Sequence, residues 1–210
     1  MSGWPIYVIS LRTEFWTTLE RQARAIGLSA TRWAATDGKT IDLAAWIREG
    51  LYEPPADPSA RTMTRGEIGC AHSHQRVWAH IVAAGFDGAL VLEDDADLPD
   101  DLPQWVDRAK QHRDAWDILY LGYTPWARST PVEQAPGFVV PDLTGGWHVT
   151  HAYMVTAAGA GKLLQGARPV RLPVDVQISR LTLSGVRAWQ SAEPVVGVRQ
   201  DTYSSTQGIS

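Results

Sequence analysis

Basic runs, cysteine pairs and long apolar stretches are all missing from this 210-residue chain. Only three of its nineteen basic residues are lysine, none of the basic residues form a run, and the net charge is −4. A nucleic-acid partner needs a basic stripe to neutralise phosphates, so that class is excluded. Cys70 is the sole cysteine, which rules out an intrachain disulfide and leaves nothing to argue for secretion. No window approaches the ~18 consecutive apolar residues of a membrane span. The opening "MSGWPIYVISLRTEF" lacks a basic leader region and reads as a first strand, not a signal peptide. Internal repeats and low-complexity tracts are absent too. The expectation is a soluble, cytoplasmic chain, with residues 1–210 as a single domain and 44% hydrophobic residues to build its core.

What is present alternates between strand and helix signals. "PIYVISL" (5–11) is an apolar strand, followed by helical spacing over 13–26 that stops at Gly27. "SATRWAAT" (29–36) reads as a second strand ending in the turn dipeptide Asp37-Gly38. The Pro-rich stretch 53–62 is a surface loop. Thr64 and Glu67 make a T-x-x-E capping box for a long helix over 64–84, in which Cys70, His74, Val77 and Ile81 share one face beside Trp78. "GALVLEDD" and "WDILYLGY" are further strands, "AAGAGKLLQGA" and "PVDVQISRLTLSG" further helices, and the polar 200–210 tail is expected to be mobile. This order predicts an α/β fold of the nucleotide-binding kind, a mixed but mostly parallel sheet flanked by helices.

The chemistry concentrates in "LVLEDDA" (90–96), where an apolar strand runs into Glu93, Asp94 and Asp95. Ligands of open α/β sheets collect at the carboxyl ends of strands. Alternation places Glu93 and Asp95 on one side and Asp94 on the other. Converging carboxylates raise one another's pKa and favour a shared proton or a bound cation, and hard oxygen donors suit Mg²⁺ or Mn²⁺. The plainer alternative is a solvated acidic turn, with Asp97, Asp100 or Asp101 capping the next helix.

"RGEIGCAHSHQRVW", "LVLEDDA", "WDILYLG", "THAYMV" and "PVD", with "VISL" and "ATDG" before them, occur in an order that resembles glycosyltransferase family 25. These are enzymes of lipopolysaccharide and lipooligosaccharide core assembly, related to the collagen galactosyltransferases. The resemblance implies a GT-A-type nucleotide-sugar-binding fold and a UDP-sugar donor, usually UDP-galactose. It further implies Mn²⁺ (or Mg²⁺) as cofactor, and inverting transfer of a hexose to a hydroxyl of a saccharide acceptor, for example a glycolipid such as lipopolysaccharide core. On that reading Asp95 and Glu93 hold the metal, Asp94 and Asp37 belong with them to the donor site, and Asp175 of "PVD" is the general base. Location would be cytoplasmic, peripheral to the inner membrane.

Each assignment has a plainer rival: an Asp-Gly turn for Asp37, and a helix-dipole acid for Asp175. Cys70, Ser73 and His74 match the family's "GCxxSH" element, and their helical face assigns Cys70 and His74 to packing. The "CAHSH" string is no metal site in itself, because i and i+2 residues of a helix diverge; its His72 departs from the family. His148 and His151 are secondary candidates for the diphosphate or metal, against a structural role, with His151 the next candidate for the base. Trp126 and Trp147 could stack on an acceptor sugar, whereas Trp33, Trp78 and Trp116 read as core. Where the family carries an Arg past the first strand this chain has Thr17, and Arg12 or Arg21 is the candidate replacement. Two other functions compete: a catalytically silent family member acting as a binding module, and a transferase for a non-glycan acceptor such as a peptide or modified nucleobase. A sugar-nucleotide pyrophosphorylase is disfavoured, since "ISLRTEFW" is not a Gly-rich basic loop.

Overall fold

The computed structural model describes residues 4–124, 132–142 and 150–199. In chain order its elements are β1 (Ile6–Ser10), α1 (Thr13–Ala25), β2 (Ala30–Ala34), a 3₁₀ turn (Gly38–Thr40), α2 (Leu43–Arg48) and α3 (Arg65–Ala84). β3 (Gly88–Glu93), β4 (Ala96–Asp97), α4 (Leu102–Gln111), β5 (Ile118–Gly122), β6 (Glu133–Ala135) and β7 (Phe138–Val139) follow. The described chain ends through β8 (Ala152–Thr156), α5 (Ala157–Ala167), α6 (Val174–Leu183), β9 (Ala188–Ser191) and β10 (Gly197–Val198).

The large sheet has the order β2-β1-β3-β8-β5-β9-β7-β6, and β4 and β10 form a separate antiparallel pair. β2, β1, β3, β5, β9 and β6 run one way, β8 and β7 the other. The predicted mixed, mostly parallel sheet is therefore observed, with β8 inserted antiparallel between β3 and β5.

Both faces of the central strands are covered, which is why they read as continuous apolar runs. Tyr7, Ile9, Ala89, Val91, Ile118, Tyr120, Tyr153 and Val155 join the core shared with α3, α5 and α6. Ile6, Val8, Leu90, Leu92, Leu119, Leu121, Ala152 and Met154 join the core shared with α1 and α4. This alternation reaches Glu93, the last residue of β3.

The helix signals hold. Thr64 caps α3 with Glu67 in the reciprocal box, and Gly85 ends it at φ 67°. α1 stops before Gly27, whose φ is 77°. Asp101 stands before α4 but does not cap it; its Oδ2 accepts from the Trp105 indole N–H instead. Trp78 and Trp116 are core as expected, whereas Trp33 is only half-buried. The 53–62 stretch contains no helix or strand, and Glu53 and Arg61 fasten its ends to Arg171 and Glu67. Among the described residues no helix is long and apolar enough to cross a membrane.

One buried charge organises the far end of the sheet. Asp117, fully buried, accepts from Lys162 Nζ (2.7 Å), from the Arg187 guanidinium (3.1 Å) and from the Arg187 backbone N–H (2.8 Å). Burial alone would raise its pKa, but these donors outweigh burial and hold it below the ordinary carboxylate value. A depressed folded-state pKa contributes stability that is complete above the unfolded value of 3.8 and lost as pH falls through the folded one. Asp117→Asn should therefore destabilise the protein by about 2–3 kcal/mol at pH 7, the worth of a charge-assisted hydrogen bond. Denaturant melts at pH 7 and pH 3 check it: the gap between wild type and variant should narrow at the lower pH.

Candidate functional site

A cleft of about 760 Å³ opens at the carboxyl ends of β1, β2 and β3. Its walls are the chain after β1 (Leu11, Arg12), the segment after β2 (Ala35 to Lys39), the start of α3 (Thr64 to Gly66, with Cys70 and Ser73) and the acidic end of β3 (Glu93, Asp94). The two polypeptide segments on the α3 side touch backbone to backbone. A Cβ on Gly69 would lie 2.6 Å from the Thr36 carbonyl oxygen, and one on Gly38 would strike the Arg65 carbonyl. Ser73 locks the crossing, accepting from the Thr36 N–H (2.8 Å) and donating to the Gly69 carbonyl (2.7 Å).

Asp37 stands in the turn its sequence suggested and at the edge of the cleft. Its Oδ1 accepts from the Lys39 N–H at 2.9 Å, making the turn, and the residue lines the cleft. His72, the departure from the family pattern, meets the Thr36 hydroxyl at 2.9 Å and sets its ring edge to Trp46. Burial, then Arg76 and Arg168, push its pKa down to about 4, so it is neutral at pH 7.

β3 ends at Glu93, and Asp94 and Asp95 occupy the turn into β4. Glu93 follows the parity of Val91 toward α3, where its Oε1 accepts from Thr150 Oγ1 (2.6 Å) and stands 3.4 Å from His74 Nε2. Burial alone would raise its pKa, but the neighbouring His74 ring and the Thr150 hydroxyl outweigh burial and keep it down. Asp94 follows Leu92 to the opposite face, where Ser10 Oγ donates to its Oδ2 (2.7 Å) and Arg12 and Arg199 lie near. Asp95 has less relief. Its Oδ1 is buried without a hydrogen-bond partner, and burial, then Glu93 and Asp94, push its pKa up to about 6.

Asp175 lies in the first turn of α6, its Oδ1 accepting from the Val176 N–H at 2.8 Å. Neither it nor Asp95 forms the cleft wall, but both feel the Glu93 charge. Burial first raises the Asp175 pKa, and the charges of Glu93 and Glu67 add to it. His151 is enclosed, 5% exposed; its Nε2 meets the Val196 carbonyl at 3.0 Å and burial lowers its pKa. Of the two arginines considered as replacements, Arg12 lines the cleft and stacks over Phe15, while Arg21 is exposed on α1. Trp126, Trp147 and His148 lie outside the described residues, as does the 200–210 tail.

The family model for Glycosyltransferase family 25 (LPS biosynthesis protein) matches residues 4–178. The chain belongs to glycosyltransferase family 25. It is similar to the human "Inactive glycosyltransferase 25 family member 3", 38% identical over 153 residues, covering 67% of this chain and 25% of that protein. The zebrafish (Danio rerio) "Procollagen galactosyltransferase 1" is 31% identical over 67% of this chain and 25% of its own length. The Drosophila melanogaster "Glycosyltransferase 25 family member" is 33% identical over 81% of this chain and 29% of its own. This chain thus spans less than a third of the length of these relatives. Among solved structures, mannose-1-phosphate geranyltransferase from Thermus thermophilus aligns at a TM-score of 0.43 and 13% identity, covering 95% of this chain and 75% of that one. A likeness that slight bears on neither fold nor chemistry.

Within this family 25 chain, sequence reasoning missed the partners that hold the acids: Ser10, Thr150, Arg199 and the His74 ring. A trace of Ser10 and Thr150 was available, since both flank apolar strands and polar residues there need partners. The Arg199 contact, backbone N–H to the Asp95 carbonyl (2.8 Å) and guanidinium to the Asp94 carbonyl (2.8 Å), has no such signal.

The raised Asp95 pKa carries a stability consequence. A folded-state pKa of about 6, above the unfolded 3.8, penalises folding fully above pH 6 and not at all below 3.8. Asp95→Asn in metal-free buffer should therefore be more stable than wild type at pH 8, by about 1–3 kcal/mol, one pKa unit being worth about 1.4. Urea melts across pH 4–8 check this; the gain should vanish toward pH 4.

Proposed function

We propose that this chain is an inverting, metal-dependent glycosyltransferase, moving a hexose, galactose first among them, from a UDP-sugar to a hydroxyl of a saccharide acceptor such as lipopolysaccharide core. The observation that carries the reading is the buried, unpartnered Oδ1 of Asp95 at an acidic strand end beside the cleft. Asp95 is pressed by Glu93 and Asp94 and is only partly relieved by Arg199, and the oxygens of this acidic set fit a hard divalent ion. Asp95 and Glu93 would hold Mn²⁺ or Mg²⁺, with Asp94 supporting them. Arg12, Lys39 and Arg65 line the same cleft and supply positive charge for a diphosphate. Galactose as the sugar follows the printed name of the zebrafish relative.

Bound metal would supply Lewis-acid stabilisation of the departing diphosphate, worth several kcal/mol. The chain's own residues do the rest. Asp37 and the Gly38–Gly69 crossing shape the donor end. Asp175 would take the proton of the acceptor hydroxyl during in-line attack. Burial is what suits it: a raised pKa makes a carboxylate a stronger base. The rival reading, a silent binding module, draws on the name of the human relative. The acid set and Asp175 are intact here, which favours chemistry.

Nucleotide release from UDP-Gal, UDP-Glc, UDP-GlcNAc and GDP-Man, each with Mn²⁺, tests the donor; no release from any of them would sink the enzyme reading. Asp95→Asn should abolish Mn²⁺-dependent UDP binding in calorimetry, in the same protein whose metal-free stability it raises. Equal UDP binding by wild type in EDTA would remove the metal role. Asp175→Asn should lower kcat by about 10²–10⁴-fold and leave UDP affinity within about threefold, since a base for the acceptor contributes nothing to uniform donor binding. Near-normal turnover would move the base elsewhere; lost UDP affinity would place Asp175 in the donor shell.

A further inference from the structure

Cys70, His74 and Glu93 converge on one point. Cys70 Sγ, a ring nitrogen of His74 and a Glu93 carboxylate oxygen all lie within 4.8 Å of one another. Two ligands of one tetrahedral zinc, at about 2.1–2.3 Å from the ion, stand ~3.3–3.8 Å apart, and His74 Nε2 is already 3.4 Å from Glu93 Oε1. That nitrogen belongs to a fully buried side chain and has no hydrogen-bond partner. The opposite nitrogen, Nδ1, is held by the Tyr153 hydroxyl at 2.8 Å, which itself accepts from the Trp78 indole N–H at 2.9 Å. A ring fixed through one nitrogen, with the other aimed at a thiol and a carboxylate, has the usual outer support of a metal-ligating histidine.

We propose that Cys70, His74 and Glu93 form a binding site for a borderline-soft divalent metal of the zinc class, distinct in donor type from the all-oxygen Asp95 set. Thiolate and imidazole select such ions over Mg²⁺ or Mn²⁺. The three ligands leave a fourth position, and because Cys70 and Glu93 line the cleft that position opens onto it. Electrostatics favours a dication: the thiol lies in the field of Glu93, Asp175, Asp95 and Glu67, all negative. With metal bound, Nδ1–H would donate to Tyr153 and the Nε2 lone pair would face the ion. The helical spacing assists, because Cys70 and His74 are one turn apart on α3, His74 buried and Cys70 half-buried at the cleft. Glu93 is common to both metal readings, so zinc here and a hard ion at Asp95 are linked through one carboxylate.

Cobalt(II) titration of the reduced, metal-free full chain tests the site. Cys70 is the only cysteine, so a thiolate-to-cobalt charge-transfer band can come from no other residue. The expected result is that band at one equivalent, with the visible spectrum of tetrahedral cobalt, bleached by stoichiometric zinc. Cys70→Ser should lose the band, and Glu93→Gln and His74→Gln should each weaken cobalt binding by at least about tenfold, the lower end of what even outer-shell losses cost. Because His74 is buried, circular dichroism first establishes that its variant is folded, and the Cys70 and Glu93 variants decide if it is not. Absence of the band in wild type overturns the proposal and leaves His74–Glu93 an ion pair. A band indifferent to Glu93→Gln overturns it as well, reducing the site to a lone thiol. Asp95→Asn should keep the cobalt band while losing Mn²⁺-dependent UDP binding, so failure of the donor reading and failure of this one are separately visible.

Discussion

The molecule is organised by a strand that cannot end quietly. β3 is buried on both faces, and its residues alternate between two separate cores. At Glu93 the helix layers no longer cover it, and three carboxylates arrive within three residues. Parity then sends their charges in different directions: Glu93 to the α3 side, Asp94 to the β1 end. Each finds partners on different elements, the Thr150 hydroxyl and the nearby His74 ring for one, Ser10 for the other. Asp95, left in the turn, finds none for its Oδ1. Glu93 and Asp94 form one side of the cleft and the backbone crossing the other, with Asp95 just outside its wall.

Much of this was legible in the sequence, because it depends on local rules. Helix α3 could be read from Thr64 and Glu67 alone, since a capping box is a short-range device. The two-core alternation of β1, β3 and β5 follows from period two, and the opposite faces of Glu93 and Asp94 follow from the same count. What escaped was everything that depends on strand order. Ser10 reaches Asp94 because β1 pairs with β3 in a register that sets Ile9 beside Glu93. Thr150 reaches Glu93 because β8 lies antiparallel next to β3, bringing its start to that strand's end. No periodicity in "THAYMV" announces an antiparallel neighbour. Asp94 and Asp95 also read as the strand's last residues, whereas the chain has already turned, because continuing β3 would have kept all three charges in the sheet.

The treatment of His74 shows why a packing assignment and a polar role need not exclude each other. Its helical face correctly predicted complete burial. Burial of an imidazole, however, obliges its nitrogens to find partners. One is satisfied by Tyr153, which is anchored by Trp78, and that three-residue lattice spans α3 and β8. The other points at the acid. A residue inside the core thus becomes the base plate of the site, and the polarity of the cleft floor is set by packing two layers below.

The opposite wall is built by a different means. Between the 36–38 segment and α3 there is no room for side chains at Gly38 or Gly69, so main chain meets main chain, with Ser73 bonded to both sides. Backbone held this way has little freedom to adjust, and a pocket framed by it is set before any ligand arrives. The acids across the cleft carry the complementary property, since the repulsion at Asp95 persists until a cation or a proton joins it. A rigid wall facing a charge-frustrated one would make binding and stabilisation the same event: a cation completing the acid set would remove a folding penalty, beside a wall whose geometry glycine has already fixed.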